Sequence, residues 1–428
     1  MVLGNTFAVI ALVVLQAVAT PSTEESGEVN PKSSPITWSN AQKQQPGFYA
    51  SKEGICIGDN VLAYQRPCGG WSKSKNTPRI ADLTLSDADR EAIRKAEARA
   101  ARNYDRSNRS RHSHRSATLD NGATCAEIRF LAKVYSATKL DRFRTGCLKG
   151  IDYLLAAQYP NGGWPQCYPN LADYGRHITF NDDAMTSAMR VLREIAKWAP
   201  EFTFVDDIRR KKAKTAFEKG VDCILKCQIV VQGHPTAWCQ QHDAVTFEPR
   251  GARIYEKPSI AGVESVGVLR LLMSIEPPEP EVVRAIQAAV AWFDDAKLTG
   301  IMLVTRQDPS KKKVYQIPIR ENPAGSTRTM RFEGTGKDKI IVNDPSAPPM
   351  WARFHEIGTN KPIFCGWDGV VRYSLAEIDY ERRIRYSWYT RAAATLLAKE
   401  YPAWQRKWAP DKNMLDHNRV EGTSTTNK

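Results

Sequence analysis

Beyond residue 19 the chain has no apolar run of membrane-spanning length, so nothing in its body would anchor it in a bilayer. It has no Gly-x-Ser-x-Gly elbow, no His-Glu-x-x-His and no phosphate-binding loop, which leaves serine hydrolase, zinc protease and nucleotide chemistry without a motif. Its nine cysteines are an odd number and follow no zinc-type spacing. Cys56 and Cys68 stand at a bridging separation, whereas Cys223 and Cys227, four apart on a helix, read as small core residues. Acidic charge is also short. The 47 acidic residues face 61 basic ones for a net +14, which argues for an anionic partner: nucleic acid, membrane surface or acidic polysaccharide. Much of that excess lies in residues 94–115, which read equally well as a binding strip or as a solvated basic helix and loop.

What the chain does contain begins with an apolar stretch ending in Ala17-Val18-Ala19 and then a polar turn of composition. Residues 1–19 therefore read as a signal peptide and the protein as secreted, although no Lys or Arg precedes the run and only the amino terminus supplies positive charge there. Residues 20–45, with Pro21, Pro31 and Pro35, read as a polar linker, 46–410 as one domain and 411–428 as a polar tail.

Within the domain the heptad Asp-x-x-Leu-x-x-Gln occurs at Asp59/Leu62/Gln65, Asp152/Leu155/Gln158 and Asp222/Leu225/Gln228, each time with a tryptophan following. The glutamines stand 93 and 70 residues apart, too unevenly for an open solenoid but suited to a few helical hairpins closed into a ring. Periodicity and start signals predict helices near 47–66, 86–103, 123–138, 139–158, 182–198, 207–229, 261–275, 280–294 and 386–399. Between 300 and 348 alternating segments with Gly and Pro predict a strand-containing excursion. The fold class is all-α dominated, with function expected where the loops of the repeats converge.

Three groups of residues could carry chemistry. Asp120, Asn181-Asp182-Asp183 and Glu264 each open a helix, so a ring would bring their side chains to one rim, where carboxylates invite a hard cation. Any one of them alone reads as an N-cap. A cap needs only one side chain, however, so the doubled acid assigns Asp182 to a metal and leaves Asp183 to the helix dipole. Residues 237–259 crowd His242, Asp243, Arg250, Arg253 and Glu256 into a polar loop; the bland accounts are an Arg253–Glu256 pair and a His242–Asp243 pair. Residues 351–389 alternate aromatics with arginines, a composition suited to sugar rings bearing carboxylates. A nucleic-acid reading of the same stretch has no recognised binding motif behind it.

In their order, GDNVLAYQRPCGGWSK, LDNGATCAEIRFLAKVY, YPNGGWPQCYP, HITFNDDAMTSAMRVL, WCQQHD, GARIYEKPS, WARFHEI and ERR-x-x-Y-x-WY resemble the signature blocks of family-ten pectate lyases, over about residues 45–402. The resemblance implies an (α/α)3 toroid and calcium-dependent β-elimination on polygalacturonate, an acidic polysaccharide, by a chain expected to act as a monomer without nucleic acid. By resemblance Asp182 and Asp120 would hold Ca2+, Arg253 would be the base, and Asp120, Asn181, Asp243, Trp351, Arg353 and Trp367 would meet the substrate. Trp367 stands where the family pattern has an arginine, and Arg385 where it has a glycine, so Arg385 is expected to return the missing charge. A non-catalytic pectin-binding homologue, and an inverting glycosidase using Asp120 and Asp243, are the alternatives.

Overall fold

The three heptads end three outer helices, and their glutamines do the same work in each. Gln65 Nε2 donates to the Gly69 and Gly146 carbonyls, Gln158 Nε2 to Gly162 and Ala216, and Gln228 Nε2 to Thr236 and Ala285, at 2.7–3.0 Å. Each side chain thus ties its own turn to the next outer helix, closing orphan carbonyls that would otherwise be buried unpaired. In the first two copies the turn needs glycine. Gly69 and Gly162 have φ of 96° and 94°, and a Cβ at either would press on the carbonyl of Lys149 or Lys219. Each following tryptophan is fully buried, its indole N–H donating back into the preceding helix: Trp71 to Val61, Trp164 to Leu154 and Trp238 to Ile224.

The computed structural model describes residues 36–73, 79–102, 117–320 and 327–416, and its described residues from Thr37 onward form one compact unit. The helices, in chain order, are α1 (Trp38–Ala41), α2 (Lys52–Ala63), α3 (Asp87–Arg102), α4 (Cys125–Thr138), α5 (Asp141–Ala157), α6 (Ala184–Ala196), α7 (Asp207–Cys227), α8 (Glu264–Met273) and α9 (Pro280–Asp295). They pack as hairpins α4/α5, α6/α7 and α8/α9. Helices α4, α6 and α8 adjoin one another on the inside, and α2, α5, α7 and α9 flank them outside. Burial separates the layers: α8 hides seven of ten residues, α7 seven of twenty-one. The inner helices are linked in turn by one repeated arginine. Arg129 grips Glu194, Arg190 donates to the Gly267 carbonyl, and Arg270 grips Glu400. This is the ring of helical hairpins expected from the heptads, and the (α/α)3 toroid that the family resemblance implied.

The excursion is a long antiparallel arm. Ile301–Gln307 pairs with Lys337–Asn343, and Val314–Arg320 with Thr327–Glu333. Further on, α10 spans Tyr380–Arg385, and a helical stretch runs from α11 (Ala392–Thr395) through a π turn at Leu396–Glu400 to α12 (Tyr401–Trp408). The helix expected at 386–399 is therefore misplaced. Tyr386 ends α10 in extended conformation and Tyr389–Thr390 pairs with Trp351–Ala352, because the aromatic run packs as core rather than along one helix face. No disulfide joins any of the nine cysteines, so Cys56 and Cys68 form no bridge; Cys56 instead accepts from Arg90 at 3.0 Å. The signal segment, most of the linker, residues 103–115 of the basic stretch and the tail beyond 416 lie outside the described residues.

Candidate active site

One half of the rim is acidic and is made by repetition. Thr118 and Thr179 donate to the carbonyls of Trp71 and Trp164, and Leu119 and Phe180 to those of Gln166 and Gln240. Both chains then enter the same tight turn, with Asn121 at φ 54°, ψ 36° and Asp182 at φ 49°, ψ 36°. Left-handed backbone is tolerated best by Asn and Asp among non-glycine residues, which accounts for the residue types at both positions. The two turns meet. Asn121 Nδ2 donates to Asp120 Oδ1 at 2.8 Å and to Asp182 Oδ2 at 3.0 Å, joining the two carboxylates through one amide. Lys73 donates to Asp120 at 2.7 Å on the outer side. The third repeat shortens the turn, and Glu264 opens α8 directly, buried and gripped by Arg353 at 2.6 Å.

The other half is basic and, apart from Arg353, is made of single-copy segments. Arg253, Arg353 and Arg382 surround the ring of Tyr386, their guanidinium carbons 5.6, 5.0 and 5.9 Å from its centre. Glu256 takes Arg253 in a two-pronged pair and accepts the Tyr386 hydroxyl at 2.6 Å. Arg382 is paired with Glu381 and lies over Tyr255 and Trp367 at 4.6 and 4.8 Å. The halves join at Arg353, whose Nη2 reaches Asn181 at 3.2 Å and lies 3.9 Å from Asp182.

The electrostatics follow from these contacts. Burial raises the Asp182 carboxyl, and the adjacent Asp120 raises it further, with Arg353 pulling the other way. Asp120 feels burial too, but Lys73 outweighs it and holds Asp120 below the ordinary carboxylate range. Two carboxylates forced together, one of them strained upward, are a donor set that a divalent cation relieves. Among the described residues no three Asp, Glu, His or Cys side chains are placed to hold a metal. Asp120 and Asp182 would therefore fit calcium only with further oxygens from water and substrate, as its six to eight ligands allow. Arg253 is desolvated, which favours its neutral form, yet the Glu256 pair wins and raises it. Arg353 is likewise raised against burial by Glu264.

Of the expected site residues, Asp120, Asn181, Asp182, Arg253 and Arg353 come together, directly or through Tyr386. Two are corrected. Trp351 is 1% exposed with its N–H on the Phe293 carbonyl, so it is a scaffold tryptophan equivalent to Trp71 and cannot stack on a sugar. Asp243 accepts the Val245 and Thr246 N–H groups and Arg250, and these bonds hold it at about 2; it builds its own turn. Trp367 is half-buried, with one ring neighbour already Arg382 and its N–H on Glu381. His242 is fully buried, bonded to the Phe247 carbonyl and the Cys239 N–H rather than to Asp243.

The sequence reading missed Lys73, Gln166, Gln240 and the Arg382–Tyr386 pair. The first three had a signal. Each buried repeat tryptophan is followed two residues later by a long polar side chain: Lys73, Gln166 and Gln240, and after Trp351 by Arg353. Lys73 and Arg353 grip rim carboxylates, while Gln166 Oε1 and both Gln240 amide atoms are buried without a partner among the described residues.

Comparison with known proteins shows the family. The family model described as pectic acid lyase matches residues 65–333 and 320–397. A family 10 polysaccharide lyase from Cellvibrio cellulosa is similar in structure, with a TM-score of 0.61 and 30% identity over 87% of this chain and 94% of that one. A mutant of the Cellvibrio cellulosa family 10 lyase, solved in complex with trigalacturonic acid, matches at TM-score 0.61 and 29% identity, over 88% of this chain and all of its own. No curated protein sequence matches the chain.

Proposed function

The chain belongs to the pectic acid lyase family and is a polysaccharide lyase, and from that premise we propose that it is exported and cleaves polygalacturonate by calcium-dependent β-elimination. What carries the reading is one juxtaposition: the Asp120/Asp182 pair bridged by Asn121 faces three arginines gathered on Tyr386. The neighbour's complex with trigalacturonic acid supports the substrate class.

In the elimination a base removes the hydrogen at C5 of a uronate, the C4–O bond breaks, a C4–C5 double bond forms, and the departing oxygen takes up a proton. The C5 hydrogen is weakly acidic, so charge must flow into the adjacent carboxylate. Calcium held by Asp120 and Asp182 would supply that pull. Arg353, reaching between Glu264 and Asn181, orients the substrate carboxylate from the opposite side. Arg253 is the base. Burial and repulsion from Arg382 favour its losing a proton, and Glu256 opposes this while fixing the side chain through Tyr386.

The test is ultraviolet absorbance during incubation with polygalacturonate, first with calcium and then with a chelator. A calcium-requiring rise is expected; reducing ends without absorbance would make the protein a hydrolase and overturn the reading.

A further inference from the structure

Part of the net charge of +14 is gathered on the β arm. The described part of the β arm, residues 301–320 and 327–343, holds nine basic residues and three acidic ones, six of the fourteen net charges. Its acids are committed locally. Asp338 is buried against Arg383 of α10 at 2.8 and 3.0 Å, Asp308 caps its own turn at Ser310, and Glu333 faces Arg331. Lys312, Lys313 and Lys337 are exposed and have no acid within ion-pair distance among the described residues. They gather at the knot between the two ribbons, where Gly336 approaches the Lys312 side chain and Asp308 N donates to the Gly336 carbonyl.

This knot is rigidly tied to the basic half of the cleft. Tyr380 Oη donates to the Lys337 carbonyl at 2.6 Å, and the Tyr380 ring stacks on Tyr315 at 4.7 Å. Tyr380 begins α10, whose Arg382 lies over Trp367, and Trp367 packs on both the arm's cluster and the cleft's. Lys339, further along the arm, donates to the Tyr386 carbonyl at 3.1 Å. A cationic surface fixed beside a cleft that takes an anionic chain would also meet chain emerging from that cleft.

We propose that the β arm is a second, non-catalytic contact for the polyuronate, engaging uronates outside the cleft through Lys312, Lys313 and Lys337. The proposal rests on the pectate reading. It explains how a cleft with an indole at Trp367 retains an anionic polymer: affinity is added by a tethered second contact rather than at the scissile bond.

The test compares the parent with Lys312→Ala/Lys313→Ala/Lys337→Ala, all exposed positions outside the catalytic machinery. Mobility is read in native gels containing polygalacturonate, and kinetics on polymer and on trigalacturonate at low and high salt. The variant should lose most of its retardation and show KM on polymer raised about five- to tenfold at low salt, converging with the parent at high salt. Its kcat and its trimer kinetics should be unchanged. Unchanged retardation and polymer KM would overturn the proposal, as would equal arm-dependent retardation in gels containing nucleic acid. Retardation needs no turnover, so arm-dependent retardation without unsaturated product would sink the lyase reading and leave the arm's role standing.

Discussion

The acidic and basic halves of the cleft are built by opposite means. Asp120 and Asp182 stand on copies of one turn, each hung from a buried tryptophan carbonyl and opening an inner helix. Of the arginines, Arg353 takes the post-tryptophan position of the repeat, whereas Arg253 and Arg382 arrive on unrelated segments, and each is held by a private partner, Glu264, Glu256 or Glu381. A repeat supplies equivalent positions cheaply, so it suits a cation site needing several oxygens at one rim. The proposed base needs an individual environment, and a single-copy loop suits it.

Four predictions sharpen that contrast. Arg253→Ala should cost the most, about 10³-fold or more in kcat with polymer binding retained, because no repeat copy can replace it; gel retardation beside ultraviolet kinetics checks it. Asp182→Asn should cost about 10²-fold in activity at low calcium, since Asp120 and Asn181 remain on the same rim; a calcium titration of the rate reads the loss.

Glu127, one turn into α4 beneath the acidic half, is a buried carboxyl that burial pushes up to about 7. Its folded value lies above its unfolded one, so its contribution to stability is full below the ordinary glutamate range and is lost as pH rises through about 7. Glu127→Gln should therefore match the parent in thermal melts at pH 4 and exceed it at pH 8, by an amount on the order of 3 kcal/mol. An equal effect at both pH values would mean the carboxyl is not carrying that penalty. Smallest is Arg385→Ala. Arg385 is exposed and sits over Phe332 at 5.3 Å, so KM should rise no more than about threefold, and only at low salt. An unchanged KM at every salt concentration would remove it from substrate recognition.

The same contrast explains what was legible beforehand. The heptad glutamines announced the ring because one residue type repeats one job, and the acids were found because they open repeated helices. The basic half lacks that regularity: Glu256 and Tyr386 are 130 residues apart in sequence, so composition marked their segments but nothing in the sequence showed that the two residues meet. Trp351 was misread for a related reason. Its neighbour Arg353 lines the site, but the tryptophan belongs to the scaffold, as its indole bond to Phe293 reveals. Asp243 was misread because a carboxylate in a polar loop looks the same in sequence whether it faces substrate or, as here, caps its own turn.

The central claim is that the acidic half holds calcium and the basic half performs the proton transfer. The most direct test is the initial rate of ultraviolet absorbance on polygalacturonate, titrated with calcium for the parent, Asp182→Asn and Arg253→Ala. Asp182→Asn should regain much of its rate at high calcium while Arg253→Ala stays inactive throughout. Recovery of Arg253→Ala by calcium, or an Asp182→Asn rate indifferent to it, would contradict the division of labour.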